Sequence, residues 1–189
     1  MKIILTGNPN VGKSVVFSYL TGYTAISSNY PGTTVDILKG RARLGLCDCE
    51  IIDVPGVYSL EGGSAAERVA SEIIRKGDYD LIINVIDANN LERNMLFSLE
   101  IMELKKPVIF LANKCDIAKN KGVIIDFKKL EESLGVKTIP VVATTGLGFD
   151  ILDKTIKDFN KEHPVGGIQI DIPAEIRDKW RLIGEIISR

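Results

Sequence analysis

Short apolar runs alternate along this chain with segments whose apolar residues recur every three or four positions. The runs at 2–6, 35–44, 49–53, 80–86, 107–112 and 138–142 predict strands, and the spacing at 14–20, 65–75, 92–104, 126–134 and 148–159 predicts helices. Strand-then-helix alternation predicts an α/β fold, a six-stranded and mostly parallel sheet with helices on both faces. One junction breaks the rhythm. Only "GLCD" separates 35–44 from 49–53, too little for a crossover helix, so these strands must pair antiparallel. Near "NKEHPVGG" (160–167) Pro and Gly end the last periodic segment, which divides the chain into a domain over 1–160 and a remainder over 161–189. In that remainder "IPAEIRDKWRLIGEIISR" predicts one more helix, with Ile176, Trp180, Ile183 and Ile187 along one face. Such a stripe suits packing back on the domain, or on a neighbouring copy in a homo-oligomer, better than a juxtamembrane contact.

Composition narrows the function. A chain of 189 residues, 45% of them hydrophobic, can fill the core of one domain plus an appendage. A formal net charge of −1 without a long basic run argues against a dedicated nucleic-acid binder. No apolar stretch approaches the ~18 residues that a bilayer span requires, and "MKIILTG" reads as a buried strand entering a loop rather than as a signal peptide. Cys47, Cys49 and Cys115 make no even framework, and "CDC" lacks a second ligand pair, which points to reduced cytosolic thiols. His163, the only histidine, reads as a solvated loop residue too isolated to define a metal site.

The chemistry lies in the loops that follow the strands. Gly7-Asn8-Pro9-Asn10-Val11-Gly12-Lys13-Ser14 fits G-x-x-x-x-G-K-[ST] between a strand and a helix. Glycines let successive backbone N–H groups face phosphate oxygens, and the helix adds its positive end. Lys13 supplies a charge for the β- and γ-phosphates, and the Ser14 hydroxyl one oxygen ligand for Mg²⁺. A plain Gly-rich turn would leave the filling of every fixed position unexplained. "NKCD" (113–116) selects the base. The Asp116 carboxylate can accept from both the ring N–H and the exocyclic amine of guanine, a donor pair that adenine lacks. Asn113 can contact the base and brace the phosphate loop, and the Lys114 stem can cover the ring. In "VVATTG", Val142, Ala143 and Thr144 form the complementary loop, where an N–H near Ala143 meets the guanine carbonyl or the segment is a plain turn at a strand end.

"DVPG" then acquires a role. Asp53 can hold a Mg²⁺-bound water, and Gly56 can bring its N–H to the γ-phosphate where a side chain would obstruct. The next residue is Val57, where many GTP-hydrolysing switches carry a glutamine that orients the attacking water. In "NYPGTTV", Gly32 is followed by Thr33 and Thr34, one of which closes over Mg²⁺ if this loop is a switch rather than a solvated connection.

In this order "GNPNVGKS", "NYPGTTVD", "DVPGVYSL", "NVIDANNLERNMLFSLEIMEL" and "NKCD" resemble the cytosolic GTPase domain of the FeoB family, the ferrous iron transport protein B of prokaryotes. The resemblance covers roughly 1–160, and "NYPGTTV" and "DANNLERN" separate it from other P-loop GTPases. Two positions depart from the family pattern: Tyr30 replaces the usual Trp, and Ala143 the usual Ser. The resemblance implies a Ras-like P-loop GTPase fold that binds GTP and GDP, with Thr34 as the Mg²⁺ ligand of the switch loop. It implies that Asn10 helps hold K⁺ beside the phosphates, although from the sequence alone Asn10 is equally a turn-former. Asn10, Lys13, Thr34 and Gly56 are then the catalytic group. It also implies a membrane-embedded iron-permease portion outside this chain and a place at the cytoplasmic face of the membrane. The alternatives are a soluble GTPase of ribosome or tRNA maturation and a nucleotide sensor with negligible hydrolysis.

Overall fold

The computed structural model describes residues 1–22 and 25–162. In chain order its elements are β1 (Lys2–Gly7), α1 (Lys13–Thr21), β2 (Ala25–Asn29), β3 (Asp36–Leu44), β4 (Cys47–Asp53), α2 (Ala65–Lys76), β5 (Leu81–Asp87), a 3₁₀ turn (Ala88–Asn90), α3 (Leu91–Glu103), β6 (Val108–Asn113), α4 (Cys115–Asn120), α5 (Phe127–Leu134), β7 (Thr138–Pro140) and α6 (Phe149–Glu162). The predicted helix after residue 171 and His163 lie outside the described residues.

The sheet has seven strands in the order β2-β3-β4-β1-β5-β6-β7. From β4 to β7 all neighbours run parallel, whereas β3 is antiparallel to both β2 and β4. The strand beyond the six expected is β2, which lies in the segment read as a connecting loop. Its side chains Ala25 to Asn29 are all exposed, so it joins the edge through backbone bonds alone and shows no apolar alternation. The β3–β4 turn is tighter than expected. Cys47 and Asp48 already pair with Leu44 and Arg43, leaving Gly45 and Leu46 as the turn, both in the left-handed region that a two-residue hairpin of this twist demands.

Alternate residues of each central strand enter different cores. Ile3, Leu5, Ile83 and Val85 pack with Val16 and Phe17 of α1 and with Leu152 and Ile156 of α6. Ile4, Ile82 and Ile86 face the other way, onto Val69 and Ile74 of α2, Phe97 and Ile101 of α3, and Leu134 of α5. Two apolar layers therefore clamp the sheet and leave its strand ends to build loops. Among the described residues no helix is long and apolar enough to cross a membrane.

Candidate functional site

Because β1, β4, β5, β6 and β7 are parallel, the loops that follow them open on one edge of the sheet, where α/β folds bind ligands. The loop after β1 delivers Gly12 as the residue preceding α1, at φ 89, with no side-chain cap and no acidic residue in the first turn. Helix α2 is the contrast, since its start is closed by a reciprocal Ser64–Glu67 capping box. At α1 the Lys13 and Ser14 N–H groups find no acceptor among the described residues, so the helix presents unmet donors and its positive end together. A Cβ at Gly12 would run into the Asn113 carboxamide, so glycine is what lets the two loops close on each other.

The loop after β6 is tied down from three sides. Asn113 Nδ2 donates to Val11 O at 2.9 Å, and Asn113 Oδ1 accepts the Ala143 N–H at 3.0 Å. Lys114, held in the left-handed region at φ 64, donates from Nζ to Asn10 O at 2.6 Å and pairs with Asp87 Oδ2 at 2.8 Å. Asp116 stands exposed in the first turn of α4, a helix of six residues that shows no apolar periodicity. In the 142–144 loop the Ala143 N–H donates to Asn113 Oδ1. Thr144 is exposed, and its N–H has no acceptor among the described residues. Val142 is buried and shapes the turn, accepting the Thr145 and Gly146 N–H groups at 3.1 and 3.0 Å.

Asp53 ends β4 and forms an ion pair with Lys13, the two side chains 7% and 11% exposed. Burial pushes the Asp53 carboxyl above its usual range, against the opposing charge and hydrogen bond of Lys13. Gly56 passes close over the phosphate loop: a Cβ there would come within 3.3 Å of Pro9 Cα and 3.4 Å of Asn8 O. Its N–H has no acceptor among the described residues. Val57 turns the other way. It is 2% exposed and belongs to the core shared with α2 and α3, while its N–H donates to Gly7 O at 3.3 Å.

The segment before β3 is not part of this assembly. Thr33 is spent locally: its hydroxyl donates to Tyr30 O at 3.0 Å and accepts the Val35 N–H at 3.2 Å. Gly32 and Thr34 are exposed, and no hydrogen bond among the described residues joins Thr34 to the phosphate loop. Tyr30 leans instead on α2, where its hydroxyl accepts from Lys76 Nζ at 2.9 Å.

The donor set fits a hard cation shared with a ligand. Ser14 and Asp53 flank Lys13 with one hydroxyl and one carboxylate, and the described residues hold no cluster of three His, Cys, Asp or Glu. Mg²⁺, which keeps waters and draws on substrate phosphates, suits so sparse a set. K⁺ is less constrained, since Asn10 offers an exposed carboxamide beside the loop.

The family model described as ferrous iron transport protein B matches residues 1–156. This chain belongs to the ferrous iron transport protein B family. The Fe(2+) transporter FeoB of Legionella pneumophila (strain Paris) is 42% identical to it over 157 residues, which cover 81% of this chain and 21% of that protein. The Fe(2+) transporter FeoB of Campylobacter jejuni is 35% identical over 152 residues, 80% of this chain and 25% of that protein. The chain thus spans a fifth to a quarter of the length of these FeoB relatives. Among solved structures, the G domain of the T. maritima FeoB iron transporter superposes with a TM-score of 0.79 at 36% identity, covering 84% of this chain and 98% of that one. The cytosolic domain of the same transporter in a GDP form gives 0.83 at 35%, covering 90% and 67%. The family supports the Ras-like fold and iron-transport reading over that of a ribosome or tRNA-maturation GTPase. The structure also brings Asp87 into this cluster of loops, paired with Lys114 at 2.8 Å.

Proposed function

We propose that this chain is the GTP-binding and GTP-hydrolysing domain of a ferrous iron transporter, switching between GTP and GDP states to control Fe²⁺ uptake by a membrane-embedded portion at the cytoplasmic face. The observation that carries it is the bracing of the phosphate loop by the "NKCD" loop, Asn113 to Val11 and Lys114 to Asn10, so that one ligand with phosphates and a guanine spans both. Residues 7–14 cradle the phosphates, with Lys13 leaving Asp53 to meet them. Asp116 and the Thr144 N–H read the base, while Asn113, which braces the phosphate loop and holds the Ala143 N–H, keeps a second amide hydrogen for the base.

Bound Mg²⁺ would neutralise phosphate charge as it develops, held by Ser14, by Asp53 through water and by Thr34. Asn10 would contribute to a K⁺ site in the place where other enzymes put an arginine. Gly56 supplies an N–H to the γ-phosphate. Val57 has no donor or acceptor and points into the core, so water must be oriented by backbone groups and other waters.

The test is turnover and competition on the purified chain, in K⁺ and in Na⁺ at matched ionic strength. GTP should be hydrolysed, faster in K⁺, and GDP but not ADP should displace a fluorescent GDP. Equal displacement by ADP would end the guanine reading, and binding without turnover would leave a nucleotide sensor.

A further inference from the structure

The "DANN" segment contributes an acid to the site that neither phosphate nor base chemistry calls for. Asp87 is the last residue of β5, in register with Asn113 of β6, so its side chain emerges beside the base-reading loop. It is 8% exposed, and both of its oxygens are engaged. Oδ1 accepts the Asn89 N–H at 2.9 Å, and Oδ2 accepts from Asn90 Nδ2 at 3.1 Å and from Lys114 Nζ at 2.8 Å. The backbone behind it is fixed too, because Asn94 Oδ1 accepts the Asp87 N–H at 3.2 Å and Asn94 Nδ2 donates to Asn90 O at 2.7 Å. Asp87 is therefore held by the 3₁₀ turn and, through Asn94, by α3, rather than by the loop it touches.

Lys114 is what it holds. That residue is not glycine, yet it sits in the left-handed region, as does Asn10, whose carbonyl takes the other bond from the same ammonium. Two unfavourable backbone conformations thus meet at one cation, and Asp87 is the only carboxylate paired with that cation among the described residues. Neutralising Asp87 would free the ammonium to swing into solvent, unlatching Asn10 from the base-reading loop at a single stroke.

We propose that Asp87 is a positioning residue for the nucleotide: by fixing the Lys114 ammonium between α3 and the phosphate loop, it sets how slowly guanine nucleotide leaves. The inference rests on the guanine-nucleotide reading above. It predicts that affinity is governed from a residue that touches no part of the ligand, and that its influence passes wholly through Lys114.

Release of a fluorescent GDP by stopped flow tests it, in the unaltered chain, Asp87→Asn, Lys114→Met and the double variant. Asn keeps the shape and the Asn89 cap while removing the charge. Asp87→Asn should release about tenfold faster or more, as expected when a charge-assisted hydrogen bond is weakened, and it should add little in the Lys114→Met background. Unchanged release, or the same acceleration in both backgrounds, would overturn the proposal, since a general loss of packing multiplies regardless of Lys114. If Asp87→Asn does not fold, Asp87→Ser carries the same comparison with a smaller cap. Failure of the unaltered chain to bind the fluorescent GDP would remove the nucleotide reading and this inference with it; normal binding with an indifferent Asp87 would remove only the inference.

Discussion

Asn113 and Lys114 commit their polar atoms to neighbouring loops at 2.6–3.0 Å, reaching Val11, Asn10, Ala143 and Asp87. Thr34, proposed for the same nucleotide, stands exposed and without a hydrogen bond to the phosphate loop, while its neighbour Tyr30 leans on α2. One half of the site is assembled by its own hydrogen bonds and the other is not. The difference follows from placement. The assembled half hangs from β5, β6 and β7, neighbouring strands buried almost throughout. The unassembled half follows β2, an edge strand with every side chain exposed. A rigid half gives affinity and choice of base without an ordering cost, whereas a loose half can be captured by a γ-phosphate and released when it goes.

Damage to the assembled half should be the most severe. Asp116→Asn sets a donor against guanine's own donors and should weaken GTP and GDP binding alike by about 2–4 kcal/mol. Xanthine nucleotides, which present a carbonyl there, should recover part of the loss. Titration of a fluorescent GDP and its xanthine counterpart measures both, and wild-type GTP affinity in this variant would break the base assignment.

Next in size is the loose half. Thr34→Ala removes a hydroxyl that matters only once the loop closes. It should slow single-turnover hydrolysis by about tenfold to a hundredfold, roughly 1.4–2.7 kcal/mol in the barrier, while leaving GDP affinity unchanged. A parallel loss of GDP affinity would mean that the loop is already part of the binding surface, erasing the contrast between the halves.

Val57→Ala should be mildest in chemistry and visible in stability. Two methyl-sized groups leave the core, which should lower unfolding free energy by about 2 kcal/mol in a denaturant titration. Hydrolysis by the folded protein should stay within about tenfold, 1.4 kcal/mol or less. A hundredfold collapse with binding intact would show that this buried side chain acts on the reacting water.

The same contrast explains what could be read from the amino acids. The uninterrupted run Leu81–Asp87 announces a strand buried on both faces, and "GNPNVGKS" and "NKCD" announce their chemistry because their spacing has few other uses. Strand β2 was invisible because A-I-S-S-N buries nothing and pairs only through its backbone. No pattern of side chains reveals which of the successive N–H groups of residues 142–144 the Asn113 carboxamide occupies; the fold gives it that of Ala143. Asp87 lies in "DANNLERN", a string that carries the family resemblance but no chemistry legible by itself. Its meaning appears only when strand register sets it against Asn113, a relation between residues 26 positions apart.

The division of the site is most directly tested by amide hydrogen exchange on the chain free, with GDP and Mg²⁺, and with a non-hydrolysable GTP analogue and Mg²⁺. The amides of Cys115, Val142 and Ala143, which find acceptors within the loops, should be protected in the free protein and change little between the two nucleotides. Residues 30–35, together with the turn around Gly56, should exchange fast in the free and GDP states and slow only with the analogue. Equal protection of 30–35 in all three states, or a base-reading loop that exchanges freely until nucleotide binds, would contradict the account.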